Sequence, residues 1–298
     1  MRDRDAFSSY HPAVNMLYFA LVLCFSMFFL HPVCLGISLV CASVYALYLN
    51  GKKALKFGVI YLLPMMLITV LLNPVYNHEG STVLTYFPDG NPLTLESIWY
   101  GIAAAITMGS VIAWFSCYNE VMTSDKFVYL FGRVIPALSL ILSMSLRMVP
   151  RFTARLRVIA EAQRCVGRDV SRGGLLTRAR HGIRILSVMV TWALENAVET
   201  ADSMKSRGYG LKGRTAFSIY HIDRRDWYAL SYLAVCGALI LGGAAVGGLY
   251  FRYFPTVKGV GSGALSVSLY AVYAALCVMP VIINLREDLK WRVIRSKI

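Results

Sequence analysis

Two phrases in this chain set basic residues beside a glycine where a long helical pattern stops. They are Glu161-Ala162-Gln163-Arg164-Cys165-Val166-Gly167-Arg168-Asp169 and Ala201-Asp202-Ser203-Met204-Lys205-Ser206-Arg207-Gly208-Tyr209-Gly210. A guanidinium at the end of a rigid rod, next to the glycine that ends it, can enter an acidic pocket and pair bidentately with carboxylates. One arginine near a helix C-terminus need do no more than favour the helix dipole. Two arms that end alike point to docking. Catalysis has little to stand on: His11, His31, His78, His181 and His221 are scattered without metal-ligand spacing, and there is no Gly-x-x-x-x-Gly-Lys-Ser/Thr loop for a nucleotide. The seven cysteines form no Cys-x-x-Cys pair, and all but Cys165 fall in apolar runs, as small hydrophobes do. No metal, cofactor or catalytic residue is expected; the chain reads as a non-enzyme.

The elements that must carry these tips are two long helices and a short one. A helical pattern runs from Ile135-Pro136 towards Val166, with Pro136 suited to a first turn. Arg147, Arg151 and Arg155 follow at spacing four, opposite Met148, Phe152, Ile159 and Val166. Pro150 is expected to bend it. The glycine-containing break at 167–174 precedes a second helix over 175–207, with Val190, Leu194, Ala197, Ala201 and Met204 on one side and Glu195, Glu199 and Asp202 on another. An arginine stripe facing an acidic stripe predicts that the arms cross and pair. Thr123-Ser124-Asp125 is a good helix start, and 126–133 is predicted to be a short amphipathic helix at the membrane surface.

Hydrophobic residues make up 57% of the chain and charged ones 15%, far below the roughly 25% charge of soluble domains. The fold class is an all-α polytopic membrane protein: about six transmembrane helices, plus one short and two long cytoplasmic coupling helices. The first span follows Arg2 and Arg4 and is expected to remain uncleaved. The break at Leu30-His31-Pro32 separates it from the second, and the third holds Pro64 and exits at Asn73-Pro74. The loop 73–97 has no Lys or Arg and is placed outside. The fourth span covers 97–119, the fifth 228–251, with Gly243 and Gly247 spaced for close helix contact, and the sixth 259–285. The organisation is membrane spans over 1–122, a coupling region over 123–226, and two further spans with a basic tail over 227–298.

Residues 147–226 hold 16 Lys+Arg against 7 Asp+Glu, which is +9 of the chain's +14. Basic groups beside spans follow the positive-inside bias, so this charge marks the cytoplasmic side and not a nucleic-acid partner. Both termini are expected inside, in a bacterial plasma membrane. A self-contained carrier or channel should show intramembrane charges or paired breaks in its spans; Pro64 and Pro280 alone suggest any.

The sequence resembles the transmembrane coupling (T) component of energy-coupling factor (ECF) importers, of the CbiQ-like family. Met144-Ser145-Leu146-Arg147-Met148-Val149-Pro150, Glu161-Ala162-Gln163-Arg164 and the run from Ala201 to Tyr209 carry the likeness, and Asn73-Pro74 and Pro12 fit it. The resemblance implies two ABC-type ATPase subunits, each accepting one tip in a surface groove, and a small membrane-embedded substrate-binding S component on the coupling helices. It makes Ser206, Arg207 and Gly208 one docking triplet, with Arg207 the paired cation. Cys165, Val166 and Gly167 would be the other, and there Val166 stands where the family usually has arginine. Either Arg164 or Arg168 replaces it, or this tip docks through apolar contact.

Overall fold

The computed structural model describes residues 5–86, 90–132, 135–171, 174–211, 220–259 and 263–296. Arg2, Arg4, Asp89, Arg133 and residues 212–219 lie outside the described residues. The chain divides into two compact units, one of residues 1–126 with 220–298 and one of residues 127–219.

The first unit is a bundle of apolar helices. Its members are α1 (Pro12–Phe28), α2 (Pro32–Asn50), α3 (Lys52–Phe57) running through a π turn at Gly58–Leu62 into α4 (Leu63–Tyr76), α5 (Leu95–Val121), α9 (Arg224–Ala245) and α10 (Ala264–Arg295). Among the described residues five are long and apolar enough to cross a membrane, with α3, the π turn and α4 acting as a single span of 25 residues; α1 is a shorter apolar helix of 17. Both α1 and α2 begin on a His-Pro pair. His11 Nδ1 accepts from Ala13 N (3.2 Å) and His31 Nδ1 from Val33 N (3.3 Å), while the proline takes the first helical position, where no N–H is needed. The two histidines are thus buried caps, and Tyr270 Oη lies 2.8 Å from His31 Nε2.

Trp114, Tyr18, Tyr45, Tyr273 and Phe19 fill the centre of the bundle. Their polar ends are paired, as burial requires: Trp114 Nε1 donates to Ser38 Oγ (3.0 Å), Tyr18 Oη to the Cys277 carbonyl (3.1 Å), and Ser26 Oγ lies 2.7 Å from Ser38 Oγ and 3.2 Å from Tyr273 Oη. Hydrogen bonds of this kind join apolar helices that lipid would otherwise solvate equally well.

Several expectations are corrected. The third span continues past Asn73-Pro74 to Tyr76. Its π turn ends just before Pro64, whose ring and missing N–H disrupt the regular ladder four residues back. The loop after it holds a small antiparallel hairpin, β1 (Val83–Tyr86) with β2 (Pro92–Thr94). Glu96, in the loop placed outside, is 3% exposed and accepts from Ser81 Oγ, Thr82 N and Thr82 Oγ1 at 2.8–3.2 Å, fastening the hairpin to the start of α5. Gly243 does meet a neighbouring helix, since a Cβ there would sit 2.3 Å from Leu269 Cδ2, but Gly247 has φ +84° and open space around it. It ends α9, and Gly248 takes the packing role, against Leu265. A second pair of short strands, β3 (Phe251–Arg252) and β4 (Lys258–Gly259), follows. The basic tail is not separate: α10 carries it as a continuous helix to Arg295.

The second unit holds most of α6 (Ser124–Gly132), together with α7 (Pro136–Cys165) and α8 (Leu175–Ser206). Pro136 occupies the first turn of α7, and Pro150 lies within it.

Candidate docking tips and the arms that carry them

Both arms end in the same hydrogen-bonded turn. At the end of α7, Gly167 N donates to Arg164 O (3.0 Å) and Arg168 N to Gln163 O (2.9 Å), with Gly167 at φ +77°. At the end of α8, Gly208 N donates to Lys205 O (2.9 Å) and Tyr209 N to Met204 O (3.0 Å), with Gly208 also at φ +77°. This paired arrangement is a Schellman cap, and its left-handed position is one that glycine occupies without steric cost. Position by position, Cys165 matches Ser206, Val166 matches Arg207 and Gly167 matches Gly208. Val166 and Arg207 have nearly the same backbone (φ −88°, ψ 14° and φ −83°, ψ 8°).

The side chains at that shared position differ. Arg207 is exposed, and among the described residues no carboxylate pairs with it. Val166 is 66% exposed, a bare apolar residue at a helix end. Arg164 lies nearby, its side chain 67% exposed and its Nε 3.4 Å from Asp169 Oδ2. Asp169 Oδ1 in turn accepts from Ser171 N (2.9 Å) and Ser171 Oγ (2.7 Å), which fixes the turn after the tip. Arg168 is half-buried.

The arms meet through aromatic and apolar groups. Phe152 and Trp192 pack edge-on with centroids 5.5 Å apart, Arg155 lies over the Trp192 ring at 5.5 Å, and Asn196 Nδ2 approaches Met148 Sδ at 3.9 Å. Ile159 and Ile185 are the buried residues of the two helices among the described side chains. Met148 with Asn196 and Phe152 with Trp192 run in opposite order, so α7 and α8 are antiparallel and their tips lie at opposite ends. Cys165 is 13 residues beyond Phe152 and Ser206 is 14 beyond Trp192, which at 1.5 Å per residue puts each tip ~20 Å from the crossing.

The expected pairing of stripes does not occur: among the described residues no ion pair joins Arg147, Arg151 or Arg155 to Glu195, Glu199 or Asp202, and all six are exposed. An exposed ion pair is worth only about 0–1 kcal/mol, and stacking of Arg155 on Trp192 competes on equal terms. Much of the apolar surface of α8 is likewise exposed, with Ile183 at 68%, Leu194 at 64% and Val198 at 63%. A contiguous face of this size marks a surface that lipid or another protein covers.

Two residues at the connections to this unit carry no signal in the sequence pattern. Lys126, expected on a surface helix, is 6% exposed within the first unit. Its ammonium donates to Ser8 O (2.5 Å), Ser8 Oγ (2.9 Å) and Val121 O (2.9 Å), and the Asn15 amide, correctly oriented, adds an acceptor at 3.3 Å. Burial pulls this lysine below its usual pKa, with the Asp5 carboxylate opposing the shift. On the returning chain, Asp226 is 1% exposed; it accepts from Asp223 N (2.9 Å), closing a capping box, and from His11 N (3.1 Å). Asp5 is itself held by Asn284 Nδ2 (2.6 Å) and Tyr45 Oη (3.1 Å), while burial raises its pKa. Residues 5–15 therefore grip the chain both where it leaves the bundle and where it returns.

A helical membrane protein with two long arms closed by matching caps is the class these observations define. Comparison with known proteins agrees: the CbiQ family, described as cobalt transport protein, matches residues 7–217, and this chain belongs to that family. It is similar to the energy-coupling factor transporter transmembrane protein EcfT of Lacticaseibacillus paracasei, 27% identical over 67% of this chain and 80% of that protein. It is also similar to EcfT 1 of Listeria monocytogenes, 26% identical over 65% of this chain and 75% of that protein. EcfT of Lactobacillus helveticus is 33% identical, over 38% of this chain and 41% of that protein's length.

Proposed function

We propose that this chain is the energy-coupling transmembrane subunit of an ECF-type importer, passing the motion of two ABC-type ATPases to a membrane-embedded substrate-binding S component. The cargo class is a vitamin or a transition-metal ion. The observation that carries this reading is the pair of matching Schellman caps at opposite ends of antiparallel arms. Two separate motor subunits need two presented ends, and each end here stands a similar ~20 Å from the crossing. ATP binding draws the ATPases together, the tips move with them, and the packed crossing at Phe152 and Trp192 turns that motion into a shift of the arms. The exposed apolar face of α8 supplies the surface on which the S component rests. Membrane orientation with both termini and both tips in the cytoplasm follows from the positive-inside bias.

The two tips ask for different grooves. Arg207 suits a carboxylate-lined pocket, and the exposed Val166 at the matching position suits an apolar one. Val166→Asp places an unpaired charge in that apolar contact, a cost of a few kcal/mol. Retention of ATPases on the affinity-purified chain should fall by at least about tenfold, while Val166→Leu should retain them. Equal retention by Val166→Asp and the parent chain would remove the first tip from the docking scheme.

A further inference from the structure

A cavity of about 550 Å³ lies between α2, the span formed by α3 and α4, and α5, all within the first unit. Its walls are almost wholly apolar, with Leu39, Met66 and Ile106 from the three elements. At roughly 30 Å³ per methylene-sized group it has room for about 18 of them, the scale of one fatty acyl chain. The span on its outer side has none of its apolar window buried, a face that lipid or another protein covers.

What separates this cavity from an ordinary lipid-filled crevice is its end. The lining continues onto α3 through Ala54, Leu55 and Phe57, and the same six-residue helix carries Lys52, Lys53 and Lys56. All three lysines are exposed, and among the described residues none forms an ion pair. A lysine cluster alone attracts any anion, and an apolar groove alone accepts any acyl chain. The two joined on one helix select a molecule that has both parts, and basic groups at the mouth of a groove between membrane helices are the chemistry that holds anionic headgroups.

We propose that this cavity and the Lys52, Lys53 and Lys56 cluster form a seat for one anionic phospholipid, with one of its acyl chains between α2, α4 and α5 and the phosphate among the lysines. The π turn at Gly58–Leu62 contributes Gly58, Val59 and Leu62 to the cavity, so it shapes the passage between the headgroup end and the chain end.

The test uses the delipidated full chain in detergent, offered equimolar dioleoylphosphatidylglycerol and dioleoylphosphatidylcholine, with bound lipid counted by native mass spectrometry. One phosphatidylglycerol should be retained in preference to phosphatidylcholine. At roughly fivefold per lysine, the Lys52→Gln/Lys53→Gln/Lys56→Gln variant should lose about 100-fold of that preference. Ala105→Phe, which narrows the cavity and leaves the lysines intact, should lower retention of both lipids; if that variant does not fold, the lysine variant decides. Equal retention of the two lipids, no change in the lysine variant, or no change in a folded Ala105→Phe chain overturns the proposal. So does displacement of phosphatidylglycerol by an equal concentration of inorganic phosphate, which would assign the site to a free anion. In the purified complex, absence of the lipid together with cross-linking of a Leu67→Cys chain to another membrane protein would give the cavity to that partner and also overturn it.

Discussion

Arg207→Glu is expected to release the partner ATPase from the second arm, lowering its retention on the purified chain by roughly 10²–10³-fold. The size follows from the position. The guanidinium is exposed at a helix end and has no carboxylate of its own among the described residues, so all of its pairing capacity is available to a partner. Reversing its charge both removes a bidentate donor and sets like charges against each other. The fold should not suffer. The residue has φ −83° and ψ 8°, which glutamate adopts freely, and the cap is held by the backbones of Met204, Lys205, Gly208 and Tyr209. Arg207→Lys should fall between the two, because an ammonium keeps the charge and loses the planar fork. Unchanged retention in Arg207→Glu would show that this tip does not bind through its cation.

Lys126→Met is expected to act through the fold. It takes the ammonium donor from the Ser8 carbonyl and hydroxyl, leaves the Val121 carbonyl only a 3.5 Å bond from Ser8 Oγ, and removes a positive charge that interacts with the half-buried Asp5. Unsatisfied buried acceptors and an uncompensated charge together cost about 3 kcal/mol. The purified protein should melt several degrees lower, and uptake should fall further than ATPase binding, since the bundle loses its grip where the arms begin. Lys126→Arg supplies the charge but needs more room, and it should restore only part of the stability. Melting equal to the parent in Lys126→Met would show that these bonds contribute nothing net.

The tips were legible because they depend on local chemistry. A glycine after a long helical run, with basic residues just before it, specifies a left-handed cap from sequence alone, and the repeat of that phrase at residues 161–169 and 201–210 marked both ends. The spans were legible because lipid imposes long uncharged runs, so even the His31-Pro32 break could be placed. Contacts over long sequence separations were not. Spacing put Lys126 one turn past a span, where a lysine ordinarily extends into water, and nothing nearby announces that Ser8 would accept its protons. The arginine and acidic stripes were read correctly as faces, yet periodicity gives no information about which face meets the neighbour; Phe152 and Trp192 took that place. Asn73-Pro74 was read as a helix exit, but α4 runs two residues further, to Tyr76.

Both tips are proposed to stand in the cytosol, covered by motor subunits, and Cys165 offers a native reporter at the first of them. It is exposed outside the bundle, whereas Cys24, though also exposed, sits on the apolar helix α1, and Cys34, Cys41, Cys117, Cys236 and Cys277 are buried. A membrane-impermeant maleimide should label Cys165 in inside-out vesicles stripped of ATPases, should fail to do so once the ATPases are restored, and should not reach it in intact cells. Labelling from outside intact cells, or labelling in vesicles that the ATPases leave undiminished, would contradict the account.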